Sequence, residues 1–116
     1  ADDDETTVEV IQDILSNNVR DIEVKTARDG YEALITAGDF KPDLLILDMR
    51  MPKIDGLEVI RRLRDNGAIS GNMKIFAMTT HADAYPRESV LEAGADEYLI
   101  KPFDMETLLK YMEKLL

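Results

Sequence analysis

Residues 41–56 read Lys41-Pro42-Asp43-Leu44-Leu45-Ile46-Leu47-Asp48-Met49-Arg50-Met51-Pro52-Lys53-Ile54-Asp55-Gly56. Leu44 to Leu47 is apolar without alternation, which suits a strand buried on both faces. It ends at Asp48, and Met51-Pro52 through Asp55-Gly56 reads as a loop. A strand covered on both sides needs helices on both sides, and its neighbours read that way. Upstream, Tyr31 to Ala37 reads as a short helix closed by Gly38. Downstream, Leu57, Ile60 and Leu63 mark a helix that stops near Asn66-Gly67.

The same alternation continues outward. Met73 to Met78 reads as a second buried strand, followed by a loop from Thr79 to Tyr85. Pro86 suits the opening turn of a helix carrying Val90 and Leu91, which Gly94 ends. Tyr98 to Ile100 reads as a short strand. After Lys101-Pro102-Phe103, Asp104 is a good N-cap for a last helix with Leu108, Leu109, Met112 and Leu115. Toward the start, Ile22 to Ala27 alternates like a short strand, and Val8, Ile11, Ile14 and Leu15 sit at helical spacing. The order is one helix, then strand–helix four times. That order implies right-handed crossovers and a parallel sheet between two helical layers. An α/β domain seldom opens on a helix, so the acidic start reads as the end of a strand whose body precedes Ala1.

Composition excludes several classes. The 116 residues hold 24 Asp+Glu against 14 Lys+Arg, a net charge of −10. A surface of that sign opposes nucleic acid, whose binding rests on Lys and Arg. There is no Cys and one His, which removes disulfide scaffolds and Cys- or multi-His-based metal sites. The run Leu44 to Leu47 is far shorter than the roughly 20 residues of a membrane helix. The start, Ala1-Asp2-Asp3-Asp4-Glu5, is no secretory leader. One cytoplasmic domain spanning residues 1–116, with no membrane association, is the expectation.

Ligands of open α/β sheets bind at the C-terminal strand ends. Asp2 and Asp3 fall there, with Asp48, Thr79 and Lys101. Three close carboxylates repel unless a cation neutralises them. A hard divalent ion with oxygen ligands, Mg²⁺ especially, answers that need.

In this order, Asp2-Asp3, Asp48 with Met51-Pro52 and Asp55-Gly56, Thr79, and Lys101-Pro102-Phe103 resemble the receiver domain of two-component response regulators. The resemblance covers the whole chain. It implies a flavodoxin-like α/β fold, a (βα)5 three-layer sandwich of sheet order 2-1-3-4-5, with the first strand missing from this sequence. It implies that Asp48 takes a phosphoryl group from a sensor histidine kinase or phosphotransfer protein. Mg²⁺ or Mn²⁺ would be held by Asp3, Asp48 and the Arg50 backbone carbonyl, with Asp2 acting through water. Lys101 and Thr79 would contact the phosphoryl oxygens. Tyr98 would be the switch aromatic, turning inward and reshaping the face of residues 86–111. Arg50 and His81 would border the path of the hydrolytic water and tune dephosphorylation. Such a domain binds no nucleic acid itself and is not a turnover enzyme. It is either stand-alone or joined to an output domain, and Tyr111 stands where one dimerising subfamily carries Arg. Simpler readings are a capping acidic cluster for Asp2-Asp3, a core aromatic for Tyr98 and an exposed loop residue for His81. Two rival functions are an unphosphorylated interaction module and a metal-dependent aspartyl-phosphate phosphatase; Asp48-Met49-Arg50 lacks the second Asp of the latter.

Overall fold

The computed structural model describes residues 1–115. Its elements are α1 (Glu5–Asn18), α2 (Gly30–Phe40), β1 (Leu44–Asp48), α3 (Gly56–Asp65), α4 (Gly67–Ser70), β2 (Lys74–Thr79), α5 (Arg87–Ala93), β3 (Glu97–Ile100) and α6 (Met105–Leu115). Short polar side chains set the helix starts. The carboxylates of Asp4, Asp29 and Asp55 accept from the backbone N–H of Thr6, Glu32 and Glu58, which satisfies donors the helix leaves free.

The strands form a parallel sheet of order β1-β2-β3. Strand pleating sends alternate residues to opposite faces. Leu47, Ile75, Ala77 and Tyr98 join Ala33, Ala37, Val59, Ile60, Leu63 and Val90 in one core. Ile46, Phe76, Met78 and Leu99 join Leu15, Leu108 and Met112 in the other. Helices α2, α3 and α5 thus cover one face, and α1 and α6 the other. This is the flavodoxin-like layering expected, with β1, β2 and β3 at positions 3, 4 and 5 of the order 2-1-3-4-5.

Position 2 differs from expectation. Ile22 to Ala27 forms no strand. Among the described residues, its backbone meets the sheet region through one bond, from Asp2 N–H to the Ala27 carbonyl at 3.0 Å. A cleft of about 710 Å³, lined by residues 22–27 on one wall and Leu44 to Ile46 on another, runs between the segment and β1. The physical reason is the absence of a ladder partner. Among the described residues, only Ala1 and Asp2 enter the space beside β1, where the Ala1 ammonium donates to the Ile46 carbonyl at 2.7 Å and the Asp48 N–H to the Ala1 carbonyl at 2.9 Å.

Two smaller expectations also shift. Helix α2 passes through Gly38 and ends at Lys41, which takes the left-handed conformation (φ 51) just before Pro42. The one-turn α4 follows the stop at Asn66.

The opposite end of the sheet is clamped by Arg64. Its guanidinium donates to the Gly94 and Met73 carbonyls and to Asp96 Oδ2, each at 2.9 Å. The same Asp96 oxygen accepts from Ile75 N–H at 2.8 Å. Gly94 (φ +128) leaves room for the Arg64 stem.

Candidate functional site: an acidic cluster at the strand ends

Asp48 ends β1, Thr79 ends β2 and Lys101 follows β3, so the sheet brings all three to one edge. The short stretch beside β1 adds Asp2 and Asp3. Asp2 is 1% exposed, and its Oδ2 accepts from Lys101 Nζ at 2.8 Å. Its Oδ1 accepts from Asp4 N–H at 2.9 Å. Lys101 Nζ also lies 3.5 Å from Asp48 Oδ1. Asp3 is exposed. The helix after Asp48 approaches closely: a Cβ at Gly56 would collide with the Asp48 carbonyl oxygen. That is why Asp55-Gly56 accompanies Asp48 at this spacing.

The Lys101 ammonium lies against two buried carboxylates, and the imbalance shows in the titration of Asp48. Burial, then the Asp2 charge, push the Asp48 carboxyl up from 3.8 to about 6, against the pull of Lys101. Burial opposes the charged form of Lys101, but its hydrogen bond to Asp2 and the charges of Asp48 and Asp2 outweigh it and raise its pKa. Carboxylate oxygens of Asp2, Asp3 and Asp48 lie within 4.8 Å of one another. An all-oxygen set carrying more negative than positive charge fits a hard divalent cation.

Thr79 is fully buried, and its Oγ1 accepts from His81 N–H at 2.8 Å. His81 Nδ1 lies 2.9 Å from Thr80 Oγ1, and the ring is exposed, as is Arg50. Tyr98 is 7% exposed and donates its hydroxyl to the Tyr85 carbonyl at 2.6 Å. The ring expected to turn inward on switching is therefore already buried here, with its polar end satisfied.

Two residues given no site role from the sequence complete the rim. Asp55 caps α3 through Oδ1, and its Oδ2 faces the Tyr85 hydroxyl at 3.3 Å. The Asp55-Gly56 pair was visible as a loop signal. A lone tyrosine in a loop carries no signal for Tyr85.

Comparison with known proteins shows the family. The family described as "Response regulator receiver domain" matches residues 1–113. Response regulator MprA of Mycobacterium avium (strain 104) is 43% identical over 115 residues, 99% of this chain and 48% of the relative. MprA of Mycobacterium tuberculosis (strain CDC 1551 / Oshkosh) gives the same 43% and 48%. The chain thus spans about half the length of the curated relatives it matches. Among solved structures, chemotaxis response regulator CheY4 of Vibrio cholerae superposes with a TM-score of 0.86 at 31% identity, covering 99% of this chain and 93% of that one. The receiver domain of a Pseudomonas aeruginosa sensor histidine kinase, with a magnesium ion coordinated in its active-site cleft, gives 0.86 at 28%, covering 99% and 92%.

Proposed function

The chain belongs to the response regulator receiver family, and from that premise we propose that Asp48 is the acceptor of a phosphoryl group from a phosphohistidine donor. The carrying observation is the placement of the Asp48 carboxylate, buried at a strand end, 3.5 Å from Lys101 Nζ and within 4.8 Å of two further carboxylates. In the transfer, an Asp48 carboxylate oxygen attacks phosphorus and the P–N bond to the donor imidazole breaks, its electron pair leaving with the nitrogen. The product is an acyl phosphate on Asp48.

Each neighbour has a part. Asp2 holds Lys101 at the mouth of the site, where the ammonium meets an incoming phosphoryl oxygen as a point charge. Asp3, Asp48 and the Arg50 carbonyl are the first candidates to hold Mg²⁺ or Mn²⁺, and Asp2 contributes through water. A bound divalent ion would supply charge neutralisation among these carboxylates and on the transferring group. Thr79 donates its hydroxyl to another phosphoryl oxygen, while still accepting from His81 N–H or releasing it. Arg50 and His81, both exposed at the rim, limit the approach of water to the acyl phosphate.

Residues 1–116 act as a single receiver unit, a cytoplasmic phosphoacceptor that assists its own phosphorylation and dephosphorylation and turns over no separate substrate. Its donor is a histidine kinase or phosphotransfer protein, and its output is the surface of residues 86–111. Incubation with acetyl phosphate and Mg²⁺, followed by intact-mass measurement, tests the reading. One added phosphoryl group on the wild type and none on Asp48→Asn is expected; equal uptake by both would falsify the assignment.

A further inference from the structure

The loop between β2 and α5 is threaded by an unbroken run of hydrogen bonds. His81 N–H donates to Thr79 Oγ1 at 2.8 Å. Tyr85 N–H donates back to the His81 carbonyl at 3.0 Å, with Ala84 N–H on the same oxygen at 3.1 Å. The Tyr85 carbonyl accepts the Tyr98 hydroxyl at 2.6 Å. A backbone path thus joins the buried hydroxyl at the site to the buried aromatic of β3 through two residues, His81 and Tyr85.

Tyr85 also carries a tie that leaves the loop. Its hydroxyl donates to Asp55 Oδ2 at 3.3 Å. Asp55 is not free to follow a moving partner. Its Oδ1 is held by Glu58 N–H at 2.9 Å as the cap of α3, and the next residue, Gly56, donates N–H to the Met49 carbonyl at 2.8 Å. The anchor therefore stands on the segment that begins at Asp48. Burial and the Asp55 charge raise the Tyr85 phenol above its ordinary value, so the hydroxyl keeps its proton and goes on donating at neutral pH.

We propose that Tyr85 is a latch: its hydroxyl on Asp55 and its carbonyl on Tyr98 hold residues 81–86 in the closed arrangement, with Tyr98 buried, and the strength of that hold sets how often the loop is released. Tyr85 is a positioning residue, acting through the loop and not on the phosphoryl group. The inference rests on the phosphoacceptor reading for its biological sense, but the latch itself is a property of the unphosphorylated chain. Release of one hydrogen bond shifts a two-state equilibrium several-fold.

The test is ¹⁹F NMR of protein labelled with 3-fluorotyrosine, read at Tyr98, without phosphodonor. Tyr85→Phe keeps the ring and removes the tie to Asp55. The expected result is a second Tyr98 resonance, or an exchange-averaged shift, with a roughly three- to tenfold rise in the released-to-closed ratio. Asp55→Asn keeps a capping side chain and weakens the acceptor, so it should move Tyr98 in the same direction by less. Tyr31→Phe, on the exposed start of α2, should leave Tyr98 unmoved. A Tyr98 resonance identical in wild type, Tyr85→Phe and Asp55→Asn overturns the latch. So does an equal response to Tyr31→Phe. Because no phosphodonor is present, failure here is separate from failure of Asp48 to accept phosphate, which intact mass reads.

Discussion

The two sides of β1 are built differently. On one side β2 pairs with it residue for residue, from Leu44 opposite Lys74 to Asp48 opposite Met78, and Met49 N–H extends the ladder to the Met78 carbonyl at 2.9 Å. On the other side, among the described residues, only Ala1 and Asp2 make backbone contact, and an open cleft runs along the rest of the strand. The candidate site lies where the two sides meet. Its hydroxyl and its lysine come from the laddered side, and two of its carboxylates come from the short stretch on the other. The contrast teaches that a parallel ladder fixes Asp48, whereas the placement of Asp2 and Asp3 depends on a two-residue stretch held by three backbone bonds.

Several measurements would break or sharpen this contrast. The largest effect is chemical: Asp48→Asn should abolish phosphoryl uptake outright while leaving the far-ultraviolet circular dichroism of the sheet and helices intact. Next is hydrogen exchange. Amides of β2, laddered on both sides, should exchange only on global opening, and those of residues 23–26 on local motion. A difference on the order of a thousandfold or more is expected; equal rates would show that the segment is paired in solution. Third is packing. Phe76 is fully buried, so Phe76→Ala should cost about 3–5 kcal/mol in urea unfolding. Val24 is half-buried on the cleft wall, and Val24→Ala should cost under about 1 kcal/mol.

A smaller effect follows from charge. The folded Asp48 carboxyl titrates near 6, above its unfolded value, so ionising it penalises the folded state. Below pH 4 both states are protonated and the penalty is absent. It grows as pH rises from about 4 to 6 and is full above that. Metal-free Asp48→Asn should therefore match the wild type near pH 3 and exceed it in stability at pH 7 by on the order of 3 kcal/mol. Millimolar Mg²⁺ should raise the wild-type melting temperature and narrow that gap. A gap independent of both pH and Mg²⁺ would count against the charge cluster.

What the sequence made legible was local or patterned. Leu44 to Leu47 announced a doubly covered strand because a buried parallel strand needs no polar face. Asp48, Thr79 and Lys101 could be placed at one edge because parallel strands end on the same side. Ile22 and Val24 alternate along the chain, and both pack against the α1–α6 cluster. They were read wrongly as a strand, because alternation reports which side meets the core and says nothing of a ladder partner elsewhere in the chain. Gly38 looked like a helix stop, but hydrogen bonding carried α2 on to Lys41, whose neighbour Pro42 disfavours helical backbone. Tyr85 was invisible because its meaning lies in Asp55 and Tyr98, 30 and 13 residues away.

The clamp at the far end of the sheet bears on how this chain can change by mutation. Gly94 has φ +128, and a Cβ there would lie 2.5 Å from the Arg64 Cγ. Any side chain at 94 is thus strained in itself and evicts the guanidinium. Eviction leaves the Asp96 carboxylate with Ile75 N–H but without its ion pair and takes a donor from two carbonyls, whereas losing Arg64 first would leave space at 94 but not the backbone freedom. The three positions form an epistatic set in which the order of substitution matters. A lineage that replaces Arg64 and Asp96 can later tolerate Asn at 94, the side chain best suited to positive φ. A lineage that begins at Gly94 meets the full loss in one step.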